Sequence, residues 1–113
     1  MQMLPDFHKH SIAAVIPAYR VEAELESVLC GLPAYLRHII VVDDASPDAT
    51  SVVAQRVAGR DARIILLAHE HNQGVGGAMI TGFRKALELK AQIIVKIDGD
   101  GQMHPDFLPA LLT

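Results

Sequence analysis

Four short apolar runs recur at regular intervals: IAAVI (12–16), HIIVVD (38–43), RIILLA (63–68) and QIIVKID (92–98). Each is continuous rather than alternating and rich in Ile and Val, the pattern of strands covered on both faces, as in a parallel sheet. Helical periodicity fills the gaps. Leu25, Val28, Leu29 and Leu32 follow i, i+3, i+4, i+7 spacing, Ala49, Val52, Val53 and Val57 nearly repeat it, and Ile80, Phe83 and Leu87 make a third stripe. These spacings predict amphipathic helices with the stripes turned to the core. Ser46-Pro47-Asp48 supplies an N-cap, a proline at the first helical position and an acid in the first turn. Gly59 can close that helix, and Pro105-Asp106 opens a last one. Strand–helix alternation with right-handed crossovers predicts a doubly wound, mainly parallel α/β sheet, in the usual order 3-2-1-4.

At 113 residues the chain fits one small domain. We divide it into an N-terminal tail (1–11), where His8 and His10 are read as solvated, and a domain from 12 to 113. With 50% hydrophobic and 20% charged residues the chain is globular rather than disordered. A net charge of -3 gives no basic field for holding nucleic acid by its phosphates. Cys30 is the single cysteine, so no internal disulfide can form, and it reads as a small apolar filler in a helix. The start of the sequence has no apolar run of the signal-peptide kind, and no stretch reaches the roughly 18 apolar residues of a membrane span. The expectation is a soluble, cytoplasmic chain.

Sheets of this type bind ligands beyond the carboxyl ends of their strands, at the switch between the first and fourth strands. There the sequence places Pro17-Ala18-Tyr19, Asp43-Asp44 and Asp98-Gly99-Asp100. In the order 3-2-1-4, Asp44 and the Asp98/Asp100 pair converge on one cleft from its two sides. Clustered carboxylates need cations or donors to match them. If the segment is extended, Asp98 and Asp100 point the same way, and Gly99 permits close backbone approach. Two hard oxygen donors suit Mg²⁺ or Mn²⁺, which complete their shells with water and phosphate oxygens. Alone, the D-x-D pattern more often marks a plain acidic turn.

In combination, VVDDASPDAT, HNQGVGGAMITGFRKAL and VKIDGDGQMHP, in that order and spacing, resemble the family 2 glycosyltransferases of GT-A fold, nearest to the branch that charges polyprenyl or dolichol phosphate with a sugar. The likeness runs from Ile12 to the end. It implies a nucleotide pocket lined by Pro17 and Tyr19, with Tyr19 beside the base or ribose. It implies that Asp44 accepts a hydrogen bond from the base while Asp43 supports the loop. Asp98 would contact ribose or metal, Asp100 would ligate the metal that bridges the diphosphate, and Gln102 would reach the sugar-phosphate region. Two departures leave diphosphate contacts unassigned: Arg20-Val21 stands where relatives commonly read Asn-Glu, and Val75 stands where many have lysine. The implied reaction is metal-assisted sugar transfer from a UDP- or GDP-linked donor, with polyprenyl phosphate as an acceptor.

Gly74-Val75-Gly76-Gly77 follows the third strand, has Met79 at its sixth position and lacks a Walker lysine-serine pair, so it reads as a tight turn into a helix packed close to the sheet rather than a dinucleotide fingerprint. His69 and His71 alternate at a strand end without a third ligand nearby. His104, beside the acidic motif, is read equally as a substrate contact or a helix-entry residue. A nucleotidyltransferase is a rival reading, but it would carry a Gly-rich basic loop where this chain has Pro17-Ala18-Tyr19-Arg20. A nucleotide-binding module without turnover is the other, and it is the behaviour expected of this chain alone, because the family's acceptor side and any base are implied to follow Thr113. The fourth strand, at the sheet edge with Lys96 as its single charge, and the apolar Phe107, Leu108, Leu111 and Leu112 predict self-association.

Overall fold

The computed structural model describes residues 10–101. Strands β1 (Ile12–Ala18), β2 (His38–Asp43), β3 (Ile64–Ala68) and β4 (Ile93–Lys96) form one sheet in the order β3-β2-β1-β4. All three pairings are parallel, with Val15 opposite Ile40 on one side and Lys96 on the other. The predicted order is therefore the observed one.

Alternation along β1 divides the core into two layers. Ile12, Ala14 and Ile16 pack with Leu25 and Leu29 of helix α1 (Leu25–Cys30) and with Val53 and Val57 of helix α2 (Thr50–Ala58). Ala13 and Val15 face the other way, with Ile40, Val42 and helix α3 (Gly74–Glu88). Ile12 through Ile16 are fully buried, which is why this first run carries no polar residue on either face.

Helix α3 overturns one expectation. Its buried face is Ala78, Gly82 and Ala86, whereas Ile80, Phe83 and Leu87 are 52%, 43% and 67% exposed. The sheet comes too close for large side chains: a Cβ placed on Gly82 would lie 2.2 Å from Cγ1 of Val15. Both stripes share the helical period, and small size, not hydrophobicity, selects the inward one. Val52 is likewise 59% exposed, while Val53, Ala54 and Val57 form the α2 core face.

Two boundaries also differ. Helix α2 begins at Thr50, not beside Ser46. The Ser46 hydroxyl accepts the Arg20 N–H at 3.1 Å, and its own N–H donates to Asp43 at 3.0 Å. Ser46 thus ties two loops together, and the Asp48 carboxylate takes the N–H of Thr50 instead. The fourth strand ends at Lys96 rather than Asp98, although the Ile97 N–H still donates to Val15. Among the described residues β4 is an edge strand. The predicted last helix lies outside them.

Candidate nucleotide site

The carboxyl ends of β1, β2 and β4 open into one cleft of about 190 Å³, lined by Pro17, Tyr19, Val21, Asp44, Asp98 and Asp100 among others. Gly99 is buried at its floor, where a Cβ would meet the Pro17 carbonyl oxygen at 3.2 Å. A side chain at 99 would crowd the end of β1, which would have to give by a few tenths of an ångström.

Asp43 and Asp44 separate because successive residues of an extended chain point to opposite faces. The Asp43 side chain accepts the Ser46 N–H within its own loop and does not line the cleft. The Asp44 side chain turns to the α3 side. One of its oxygens, Oδ1, accepts the Gln73 N–H at 2.8 Å and lies 2.8 Å from His69 Nδ1. The other, Oδ2, accepts the Gly74 N–H at 2.8 Å. The Asn72 amide donates to the Asp44 carbonyl at 3.1 Å. Helix α3 has no side-chain cap from Gln73, so Asp44 supplies the negative charge that a helix N-terminus favours. Gly74 makes this possible with φ +80. Burial raises the Asp44 pKa, but His69 and the two backbone donors outweigh it and hold the carboxyl below its ordinary range.

At the opposite wall the acidic motif is a turn, not the extended segment expected. The Gly101 N–H returns to the Asp98 carbonyl at 3.2 Å, and Gly101 has φ +81. Both Asp98 and Asp100 nevertheless line the cleft. Asp98 is about a third exposed and pairs with Lys96 at 3.5 Å. Among the described residues no three His, Cys, Asp or Glu side chains form a metal cluster. Two hard carboxylates on one turn therefore fit an ion that takes its other ligands from water and phosphate oxygens, as Mg²⁺ and Mn²⁺ do.

Tyr19 sits at the mouth of the cleft, 43% exposed, with the Arg20 guanidinium 5.4 Å from its ring centre. Arg20 and Ala45 hold φ of 56 and 63, a region disfavoured for residues with a Cβ. The two strained positions lie on the loops that follow β1 and β2. Val21 is anchored below by its N–H bond to Thr50 Oγ1 at 3.0 Å. Gln102 and His104 lie outside the described residues. Sequence reasoning missed the part played by His69, whose ring also lies 2.7 Å from Thr81 Oγ1. Its signal, a histidine one position past a strand and five before a helix, becomes legible only once Asp44 is known to stand beside it.

Residues 13–113 match the model of the family described as glycosyl transferase family 2. A UDP-N-acetylglucosamine–dolichyl-phosphate N-acetylglucosaminyltransferase of Methanococcus voltae is 38% identical over 108 residues, covering 84% of this chain and 43% of the relative. An undecaprenyl-phosphate mannosyltransferase of Micrococcus luteus is 43% identical over 74 residues, covering 66% and 30% respectively. Among solved structures, a mannosyltransferase from Pyrobaculum calidifontis in complex with GDP-Man and Mn²⁺ superimposes with a TM-score of 0.77 at 25% identity, covering 90% of this chain and 31% of that one. The chain thus spans less than half the length of these relatives.

Proposed function

Because the chain belongs to glycosyl transferase family 2, we propose that its cleft is the donor site of a metal-assisted sugar transfer from a nucleotide-diphosphate sugar, with polyprenyl phosphate as the acceptor class. The observation that carries this reading is the meeting of Asp44 with Asp98 and Asp100 in one cleft, from strand ends on either side of β1. In this reading Tyr19 and Pro17 flank the base and ribose, Asp44 accepts from the base, and Asp43 holds the loop behind it. Asp98 faces ribose or metal, and Gln102 reaches toward the sugar phosphate. Asp98 and Asp100 would hold Mg²⁺ or Mn²⁺, whose contribution is to neutralise charge on the departing diphosphate. The relative solved with GDP-Man and Mn²⁺ supports the pairing of nucleotide sugar and divalent ion. The two relatives named for dolichyl and undecaprenyl phosphate support the acceptor class.

The chain spans less than half the length of the relatives it matches, which supports reading it as the domain's nucleotide-binding half, one that by itself binds donor without turning it over. No helix among the described residues is long and apolar enough to cross a membrane. We place the site on the cytoplasmic side, where nucleotide sugars are met. Calorimetry with UDP and GDP, with and without Mn²⁺, tests the reading. Binding strengthened by the metal supports it, and equal affinity with and without metal overturns the assignment of Asp98 and Asp100.

A further inference from the structure

We propose that His69 is a positioning residue for the nucleotide site, fixing the Asp44 carboxylate against the cleft and tying it to helix α3. The inference rests on the reading of the cleft as a nucleotide site. Its ring bridges the end of β2 and the body of α3: Nδ1 lies 2.8 Å from Asp44 Oδ1, and Nε2 lies 2.7 Å from Thr81 Oγ1. The side chains of His69 and Asp44 are only 7% and 5% exposed, so water does not substitute for either bond.

The chemistry assigns the protons. Asp44 is held ionised by its donors and can only accept, so Nδ1 must carry the hydrogen between them. With a neutral ring, Nε2 accepts from the Thr81 hydroxyl, which gives one directed chain from Thr81 through His69 to Asp44. With a charged ring, Nε2 donates to the hydroxyl oxygen and the Asp44 bond is unchanged. In both states the Asp44 oxygens receive three donors, from His69, Gln73 and Gly74. Among the described residues Oδ2 has only the Gly74 N–H, which leaves it accepting capacity on a residue that lines the cleft. Loss of the ring would free Oδ1 on one side and open a void between Asp44 and Thr81. The orientation of the one buried carboxylate in the cleft would then rest on two backbone bonds alone.

Two amide variants separate positioning from packing. Asparagine places a donor near Nδ1 and can still reach Asp44, whereas glutamine places one near Nε2 and reaches Thr81 instead. On the full chain with Mn²⁺, His69→Asn should bind UDP or GDP within about threefold of wild type. His69→Gln and His69→Ala should bind on the order of tenfold more weakly, the loss expected for a hydrogen bond to a charged group. The ratio of affinities with and without Mn²⁺ should stay at the wild-type value in all three, because Asp98 and Asp100 are untouched. If His69→Ala does not fold, the Asn and Gln pair still decides the matter. Nitrogen NMR of the ring supplies a ligand-free readout, and a ring found unprotonated at Nδ1 overturns the proposal. Wild type that binds while His69→Gln binds equally well overturns it too. Wild type that binds neither nucleotide removes the nucleotide reading, and this inference with it.

Discussion

At the end of β2, Asp44 is buried, with both oxygens engaged by His69 and by the first N–H groups of α3. At the end of β4, Asp98 sits in an open turn beside a half-exposed lysine, and Asp100 is exposed. The same residue type serves two purposes in one cleft. The first corner is finished before any ligand arrives, so its carboxylate is oriented by the protein. The second is a pair of hard oxygens on a turn, placed by the close contact between Gly99 and Pro17 and suited to completion by an ion. In the proposed reading, such a site would recognise one end of its ligand by preorganisation and the other by shared coordination.

The widest gap between the corners should appear in stability. Asp44→Ala strands the buried His69 ring and the N–H groups of Gln73 and Gly74, and should lower the unfolding free energy by about 2–4 kcal/mol in urea denaturation. Asp98→Ala removes only a surface pair and should cost less than about 1 kcal/mol. Equal losses would break the contrast.

Binding should invert the roles. Asp100→Asn should remove most of the gain in nucleotide affinity that Mn²⁺ provides, on the order of tenfold in calorimetry, while leaving stability near wild type. Asp44→Ala, assayed where it is folded, should weaken nucleotide binding by about 1–3 kcal/mol with or without metal. Asp43→Ala should do so less, and the reverse order would exchange the roles of the two adjacent acids.

Acid sharpens the comparison further. The folded-state pKa of Asp44 lies below its unfolded value, so its contribution is full above the ordinary carboxylate range and is lost as pH falls through the lowered value. Asp44→Asn should therefore flatten the fall in stability below about pH 4, measured by urea midpoints across pH. An unchanged slope would mean that other carboxylates carry the acid sensitivity.

The smallest effect is local. Ala45, at φ 63, follows the Asp43-Asp44 pair, and Ala45→Gly should stabilise the chain by about 0.5–1 kcal/mol, the relief of left-handed strain less the added chain entropy. A loss of stability would show that the Ala45 methyl packs usefully.

The strands were legible because burial on both faces leaves uninterrupted Ile and Val runs, and the strand order is the usual one for a doubly wound sheet. The opposite orientations of Asp43 and Asp44 follow from pleat alternation alone. The inward face of α3 was not legible, because hydrophobic periodicity scores Ile80, Phe83 and Leu87 above Ala78, Gly82 and Ala86. Only the closeness of Val15 reverses that ranking. Nor was the His69–Asp44 contact, since it joins residues 25 apart and depends on where α3 docks. Ser46 misled for a related reason: a residue suited to capping was taken by a partner 26 positions away.

The central place of β1 sets the order in which the cleft can come into being. Its neighbour β2 follows within one helix, but its other neighbour is reached late, as the Ser11–Gln92 bond across 81 residues records. A chain growing from its N-terminus can assemble β3-β2-β1 with α1 and α2, and then close the Asp44 cage as soon as Gly74 emerges. Throughout that interval one edge of β1 stands bare, with Ile12 to Val15 awaiting β4. The Asp98–Asp100 corner is thus the last part of the cleft to be made, and the nascent chain is most vulnerable to wrong strand pairing just before it forms.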